Sequence, residues 1–218
     1  HLSIVRGGHT SVSSVVVDAH GERQIFNHRG DALALAEPLD TALLDGAQAV
    51  LADPRWGDGT AAAFAWAREN SVLSVLDADI APVSVLQRLV PLAQWTVFSE
   101  PGLHCFAPMA RTLEAALAQA IQAGTQHAMV TRGAQGVAWM HAGDGVFHQI
   151  PAFEVNAVDT TAAGDVFHAA LTIALAALPV QRRQHDLRQS VRFACAAAAL
   201  KCTQRLGVLG APTYADVQ

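Results

Sequence analysis

The stretch of sequence that decides the fold is AVDTTAAGDVFHAAL, residues 157–171. From Val166 onward it is typical of a buried helix, because most residues up to Leu175 are apolar. Asp165 therefore falls in the first helical turn, where backbone N–H groups lack intrahelical partners and the helix dipole favours negative charge. The small residues from Thr161 to Gly164 would let a ligand approach those N–H groups closely. The pattern predicts either an anion site or a plain helix cap, and this stretch alone leaves both open.

Composition limits the classes of protein to which the chain can belong. Its 218 residues are 51% hydrophobic and 15% charged, which is enough for one large core. The net charge of −5 and the lack of a basic run argue against nucleic acid or an acidic membrane as partners. No run of the sequence is typical of a transmembrane helix or a signal peptide. Three cysteines without a CxxC pair indicate reduced thiols in a cytoplasmic protein.

Short apolar strands alternate with helices along most of the chain. Two strands at 11–18 and 23–27, joined by the turn sequence AHGE, predict an opening hairpin. Further strands are predicted at 49–52, 72–76, 95–98 and 127–131, followed by a second hairpin of 137–141 and 146–150. Helices are predicted at 60–70, 83–91, 111–123, 165–178 and 186–201, with a short one after Pro212. This alternation predicts a mostly parallel sheet with helices on both faces, plus an accessory antiparallel piece.

Polar residues end or follow several predicted strands, at the edge where open α/β sheets bind ligands. They are Asp53, Asp77, Asp79, Ser99, Glu100 and Thr131. In VTRGAQGV, residues 130–137, the small residues match neither a Walker A loop nor a GxGxxG fingerprint. That segment indicates either a hairpin turn or a loop passing close under a nucleotide. The alanine-rich helix at 191–201 allows close packing or leaves room for a flat ring.

Other common chemistries have no support in the sequence. There is no HExxH motif or Cys/His ligand spacing for zinc, and no GxSxG motif for a hydrolase nucleophile. No GxGxxG follows a predicted strand, which argues against a dinucleotide-dependent oxidoreductase. His168 lies one helical turn past Gly164, where it either approaches the site or is a hydrogen-bonded core histidine.

Four segments in order resemble the ribokinase-like (PfkB) family of carbohydrate kinases. VVVDAHGERQI resembles its lid strands, VTRGAQGV its loop at ATP, and VDTTAAGDVFHAAL its signature DTxGAGDxFxxA. FACAAAALKCTQRLGVLGAPTYADV is similar to its C-terminal helix beside adenine. Within the family, ketohexokinase-like and sulfofructose-kinase-like members look most similar. The resemblance implies a three-layer α/β/α fold with a mostly parallel sheet and a small β-strand lid. Residues 1–30 would be part of the lid and 31–218 the core, with the family's first strand and Gly-rich sugar-binding segment before residue 1.

The resemblance also implies a reaction, the transfer of the γ-phosphate of ATP to a sugar hydroxyl. Asp165 would be the general base, and the backbone N–H groups of Ala162, Ala163, Gly164 and Asp165 would hold the transferred phosphate. The implied nucleotide-binding residues are Thr131, Gly133, Gly136, Cys195 and Ala198. Asp159 and Thr161 match positions where relatives hold a monovalent cation such as K⁺. Glu100 would contact Mg²⁺, because the family's Asn-x-x-Glu is missing here.

One departure from the family pattern keeps an alternative open. Ala162 replaces the first glycine of the signature, so the loop must either place alanine at positive φ or change its dihedral angles. With that departure and the missing Asn-x-x-Glu, a catalytically weak or inactive nucleotide- or sugar-binding regulatory protein of the same fold is the alternative function, although the retained Gly164-Asp165 argues against it. The lid strands are also expected to pair with a second subunit, giving a homodimer.

Overall fold

Two antiparallel strands, β1 (Val12–Val17) and β2 (Arg23–His28), open the computed structural model, which describes residues 4–17, 23–31, 36–205 and 207–217. Their register runs from Val12 opposite His28 to Val17 opposite Arg23, as expected for the opening hairpin. The AHGE turn lies outside the described residues. These strands belong to a compact unit that spans His1–Asp45, and a second unit spans Gly46–Gln218. The division into a lid of residues 1–30 and a core of 31–218 stays a prediction.

The second unit contains a six-stranded sheet whose strands lie in the order of the sequence. They are β3 (Ala49–Ala52), β4 (Leu73–Ala78), β5 (Trp95–Ser99), β6 (His127–Thr131), β7 (Val137–His141) and β8 (His148–Ile150). The first four are parallel, and β7 and β8 are added antiparallel. All four parallel strands therefore end at the same edge of the sheet.

Helices follow the strands and pack on the sheet. They are α1 (Gly57–Glu69), α2 (Val83–Leu89), α3 (Glu100–Phe106), α4 (Leu113–Ala123), α5 (Ala163–Ala176), α6 (Val180–Arg183), α7 (Leu187–Cys202) and α8 (Tyr214–Val217). None of the described helices is long and apolar enough to span a membrane. Local sequence sets their ends: Thr112 caps α4 by accepting from the Ala115 amide, and Gly124 closes it at a φ of 126°.

The core is divided between the two faces of the sheet. Leu73 and Val75 of β4 pack in one cluster with residues of α5 and α7, such as Leu171 and Val191. Because side chains alternate along a strand, Leu76 points to the opposite face, and it is fully buried there. The three-layer fold with a mostly parallel sheet predicted from the sequence is confirmed.

Helix α3 was not expected from the sequence, which predicted no element between residues 98 and 111. Its start is built from FSEPGL: Ser99 accepts a hydrogen bond from the Gly102 amide, and Pro101 occupies the first turn, where its missing N–H costs nothing. Gly102 is required, because a Cβ there would lie 2.1 Å from the Ala78 carbonyl oxygen. The helix depends on a contact with β4 that the local sequence does not show.

Candidate active site

Helix α5 begins at an alanine in a left-handed conformation. Ala162 has φ 62° and ψ 13°, and its carbonyl accepts from the Val166 amide at 3.0 Å. The chain therefore keeps the positive-φ position without a glycine, at a cost of about 1–2 kcal/mol for an L-residue. No side chain among the described residues caps the helix, so this stretch is not a simple capping motif.

Two backbone amides in the first turn of α5 have no hydrogen-bond acceptor among the described residues, and we call them uncovered. The Ala163 amide donates to the Thr160 carbonyl at 3.2 Å, whereas the amides of Gly164 and Asp165 meet no acceptor within the described residues. A Cβ added at Gly164 would contact nothing within 4 Å among the described residues, so there is open space beside this glycine. The Asp165 side chain is exposed beside these amides. The turn can therefore accept an anion next to a carboxylate.

A cavity of about 440 Å³ adjoins this turn. All five residues predicted to bind nucleotide line it, namely Thr131, Gly133, Gly136, Cys195 and Ala198, and so do Ala163 and Gly164. Asp165, Ala162, Asp159, Thr161 and Glu100 are not among its lining residues. Its volume is in the range of a small-molecule site. The cavity brings the loop after β6, the start of α5 and the end of α7 together.

Sequence reasoning missed part of the cavity wall. Phe153, Val155 and Ala157, in the segment before α5, form one side of it, and Thr160 and Cys202 complete the lining near the helix start. The segment has no periodic pattern, so only its apolar content could have marked it. Burial raises the pKa of the Cys195 thiol to about 11, which leaves it a neutral, weakly polar group in an apolar wall.

The loop after β6 is both a hairpin and a cavity wall. Gly136 has φ 88°, and a Cβ there would lie 2.0 Å from the Ile150 carbonyl oxygen, so the strand pairing of β7 and β8 requires a glycine. Gly133 has φ 52° and open space around it. The loop can therefore be a hairpin turn and also leave space for a nucleotide beside it, so the two interpretations of the sequence are compatible.

Carboxylates gather at the edge of the sheet where the parallel strands end. Burial raises the pKa of Asp77 to about 6, and the nearby Asp79, Asp165 and Asp53 add to the rise. The Nε2 atom of His168 lies 3.3 Å from an Asp77 carboxylate oxygen and partly offsets the effect. Asp165 thus faces a negatively charged edge on one side and uncovered amides on the other.

His168 is a buried, hydrogen-bonded histidine, as one of the two interpretations of the sequence held. Its Nδ1 lies 2.7 Å from the Gly164 carbonyl oxygen, and its Nε2 lies 3.3 Å from the Val97 carbonyl oxygen. The ring therefore connects the first turn of α5 with strand β5. It supports the site and does not line the cavity.

Glu100, the residue expected to contact Mg²⁺, forms an ion pair with Arg132. The Arg132 Nε donates to Glu100 Oε1 at 3.1 Å, and the Glu100 side chain is 49% exposed. Within the residues that the structure describes, no group of three or more His, Cys, Asp or Glu side chains could hold a metal ion. The described part of the chain therefore forms no cage of acidic or histidine ligands beside Glu100.

The end of α7 holds the loop that leads into α5. The amides of Val158 and Asp159 donate to the Cys202 carbonyl at 2.8 and 3.2 Å. The Asp159 carboxylate accepts from the amides of Thr161 at 2.9 Å and Gly207 at 3.1 Å. Hydrogen bonds from Thr161 lower the pKa of Asp159 to about 2. Lys201, which sequence reasoning missed, also contacts Asp159, with its Nζ 3.0 Å from the main-chain oxygen.

Comparisons with known proteins agree with this geometry. The model of the pfkB family carbohydrate kinases matches residues 1–213. Over 89 residues the chain is 38% identical to ribokinase from Bacillus subtilis (strain 168), a match that covers 41% of this chain and 28% of that protein.

Solved structures with the same fold cover nearly the whole chain. A protein from Agrobacterium tumefaciens assigned as a ribokinase matches with a TM-score of 0.86 and 31% identity, over 97% of this chain and 67% of that one. A protein from E. coli assigned as a ribokinase II, in complex with ATP and Mg²⁺, matches with a TM-score of 0.76 and 21% identity, over 94% of this chain and 69% of that one. The match of the family model to nearly every residue, with the signature placed at an open helix N-terminus, leads to one conclusion: the chain belongs to the pfkB family of carbohydrate kinases.

Proposed function

We propose that this chain carries the nucleotide site and catalytic centre of a kinase that transfers the γ-phosphate of ATP to a sugar hydroxyl. The observation that carries the proposal is the first turn of α5, where Gly164 lines the cavity and the uncovered amides of Gly164 and Asp165 lie next to the exposed Asp165 carboxylate. Membership in a family of carbohydrate kinases supports a sugar as the acceptor.

The cavity supports ATP as the donor. Its apolar wall of Phe153, Val155 and Ala198 suits the flat face of a base. Thr131 and Gly133 also line the cavity, and the uncovered first turn of α5, which borders it at Ala163 and Gly164, supports binding of the phosphates there. The complex of a structural relative with ATP and Mg²⁺ supports the same ligands.

In the proposed mechanism, Asp165 accepts the proton of the sugar hydroxyl while the hydroxyl oxygen forms a bond to the γ-phosphorus. The bond from that phosphorus to the β-γ bridging oxygen breaks, and ADP leaves with the electron pair. Because Asp165 is exposed, the proton can pass on to water. The amides of Gly164 and Asp165 stabilise the negative charge of the transferred group without changing protonation.

Mg²⁺ fits this site as an ion bound mainly by phosphate oxygens and water, since the protein presents no acidic cage in the described residues. When bound, it neutralises phosphate charge. Glu100 is the proposed protein contact, and its ion pair with Arg132 keeps it beside the loop after β6. The acidic edge formed by Asp77 and its neighbours would otherwise repel the phosphates.

The test is sugar-dependent ADP release by the full-length protein over a panel of ketoses and aldoses. Asp165→Asn should lower the rate by about 10²–10⁴, the usual size of a general-base effect. Asp58→Asn is the matched control, because Asp58 is also an exposed aspartate in the first turn of a helix, here α1. The activity of the Asp58→Asn variant should stay at the wild-type level. Saturable binding of ATP without ADP release for any sugar would instead support the regulatory binding protein. Equal rates for Asp165→Asn and wild type would contradict the assigned base.

A further inference from the structure

Lys201 is the only lysine of the sequence, and it is completely buried. It lies in the last turn of α7, one residue before Cys202, which lines the cavity. Lysine is almost never fully buried unless its charge is paired, because an isolated ammonium loses several kcal/mol of hydration. The partners of this ammonium therefore indicate what it does.

Among the residues that the structure describes, the ammonium of Lys201 contacts oxygen atoms of Asp159. Its Nζ donates to the Asp159 carbonyl at 3.0 Å and lies 3.8 Å from the Asp159 Oδ2 atom. Main-chain carbonyl and carboxylate oxygens are the ligands that a hard cation takes in proteins. An ammonium and K⁺ carry the same charge and are similar in size, so the same oxygens can hold either one.

Each of the three oxygens of Asp159 already accepts a hydrogen bond. Oδ1 accepts from the Thr161 amide, Oδ2 accepts from the Gly207 amide, and the main-chain oxygen accepts from Lys201. The positive charge of the Lys201 ammonium balances the negative charge of the Asp159 carboxylate. A K⁺ bound to the same oxygens would lie beside the ammonium, and the two positive charges would repel each other. Asp159 and Thr161, the residues expected to hold a monovalent cation, therefore fit an additional K⁺ poorly.

We propose that Lys201 is a built-in monovalent cation, whose ammonium takes the place of K⁺ and makes the proposed kinase independent of added monovalent salts. Asp159 precedes Ala162 by three residues, and the hydrogen bonds to Cys202 and Lys201 fix the loop between them. The ammonium therefore helps to fix the loop that leads into the first turn of α5, and Lys201 is not among the residues that line the cavity. This inference rests on the proposed function, and in it Lys201 is a positioning residue.

The experiment compares wild type with Lys201→Met in KCl, NH₄Cl, NaCl and tetramethylammonium chloride at equal ionic strength, with ATP, Mg²⁺ and the best sugar of the panel. Wild-type kcat/KM should change by less than about twofold among the four salts, because no exchangeable cation is coupled to the site. Lys201→Met in tetramethylammonium chloride should lose about 5- to 100-fold, the usual range of such coupling, and K⁺ or NH₄⁺ should restore part of the loss. Arg68→Met, which removes an exposed positive charge from α1, is the control and should respond to salts as wild type does.

Thermal unfolding gives a readout that does not need activity. A cation that binds only the folded state raises the melting temperature, so K⁺ or NH₄⁺ should raise that of Lys201→Met relative to tetramethylammonium and leave that of wild type unchanged. Activation of wild type by K⁺ of more than about fivefold would overturn the proposal. So would a Lys201→Met protein whose activity and melting temperature ignore K⁺ and NH₄⁺. If Lys201→Met does not fold in any salt, the wild-type series decides alone. A wild type that releases no ADP in any salt would contradict the proposed function, and the melting temperatures would still test the built-in cation.

Discussion

Replacing Ala162 with glycine should stabilise the folded chain, although the same substitution inside a helix destabilises it. Ala162 has φ 62°, a conformation that costs an L-residue about 1–2 kcal/mol and glycine nothing. Glycine loses about 0.5–1 kcal/mol through the greater freedom of the unfolded chain. The half-buried methyl group is worth about 0.4 kcal/mol, half of the value of a fully buried one. At the midpoints of these ranges the balance favours Ala162→Gly by about 0.4 kcal/mol.

The matched control is Ala169→Gly, seven residues further along the same helix. Ala169 is exposed in the interior of α5, so glycine there should cost about 1 kcal/mol. The free energy of unfolding of both variants is measured by urea denaturation beside wild type. We expect changes of opposite sign, about 1.4 kcal/mol apart, which is about 3–6 °C in melting temperature for a chain of this size. A loss of stability in Ala162→Gly equal to that in Ala169→Gly would refute the left-handed conformation of Ala162.

Three further predictions concern the site. Gly164→Ala should keep or raise the melting temperature, because a Cβ there contacts nothing and alanine favours a helix. The same methyl group should raise the KM for ATP, because it covers the amides of the first turn, and an unchanged KM would contradict phosphate binding at this turn. Because burial raises the pKa of Asp77 to about 6, the folded chain binds that proton more tightly than the unfolded chain. The resulting stability is complete below a pH of about 4 and is lost as the pH rises through 6. In urea denaturation across this window, the free energy of unfolding of Asp77→Asn should fall less than that of wild type, and equal falls would contradict the raised pKa. Burial raises the pKa of the Cys195 thiol to about 11, so iodoacetamide at pH 8 should alkylate Cys195 more slowly than the partly exposed Cys105. Peptide mass spectrometry measures both rates, and faster alkylation of Cys195 would contradict its burial.

The architecture could be predicted because the strands are short apolar runs that can only be buried between helix layers. The positions of β3 and β6 match the sequence prediction at both ends. The start of α5 could be placed within three residues, since its apolar run begins just after Gly164-Asp165. These features are local, so the pattern along the chain contains them.

What could not be predicted depends on contacts between distant segments. Ala162 has a positive φ in a loop whose preceding residues are held by the Cys202 carbonyl at the end of α7, a contact that the local sequence does not show. The role of Lys201 is set by Asp159, which is 42 residues earlier in the chain. The resemblance placed a cation at Asp159, but only the folded structure shows that a lysine side chain reaches it.

The measurement that tests the central claim most directly is phosphoryl transfer in a single turnover. Full-length wild type and full-length Asp165→Asn are each mixed, in excess over γ-labelled ATP, with that ATP and the preferred sugar. The formation of labelled sugar phosphate is followed by chemical quench, and the affinity of each protein for ATP is measured in parallel. The account predicts that Asp165→Asn binds ATP at least as tightly as wild type and transfers the phosphoryl group about 10²–10⁴ times more slowly. Transfer at the wild-type rate with normal ATP binding would show that another group accepts the proton.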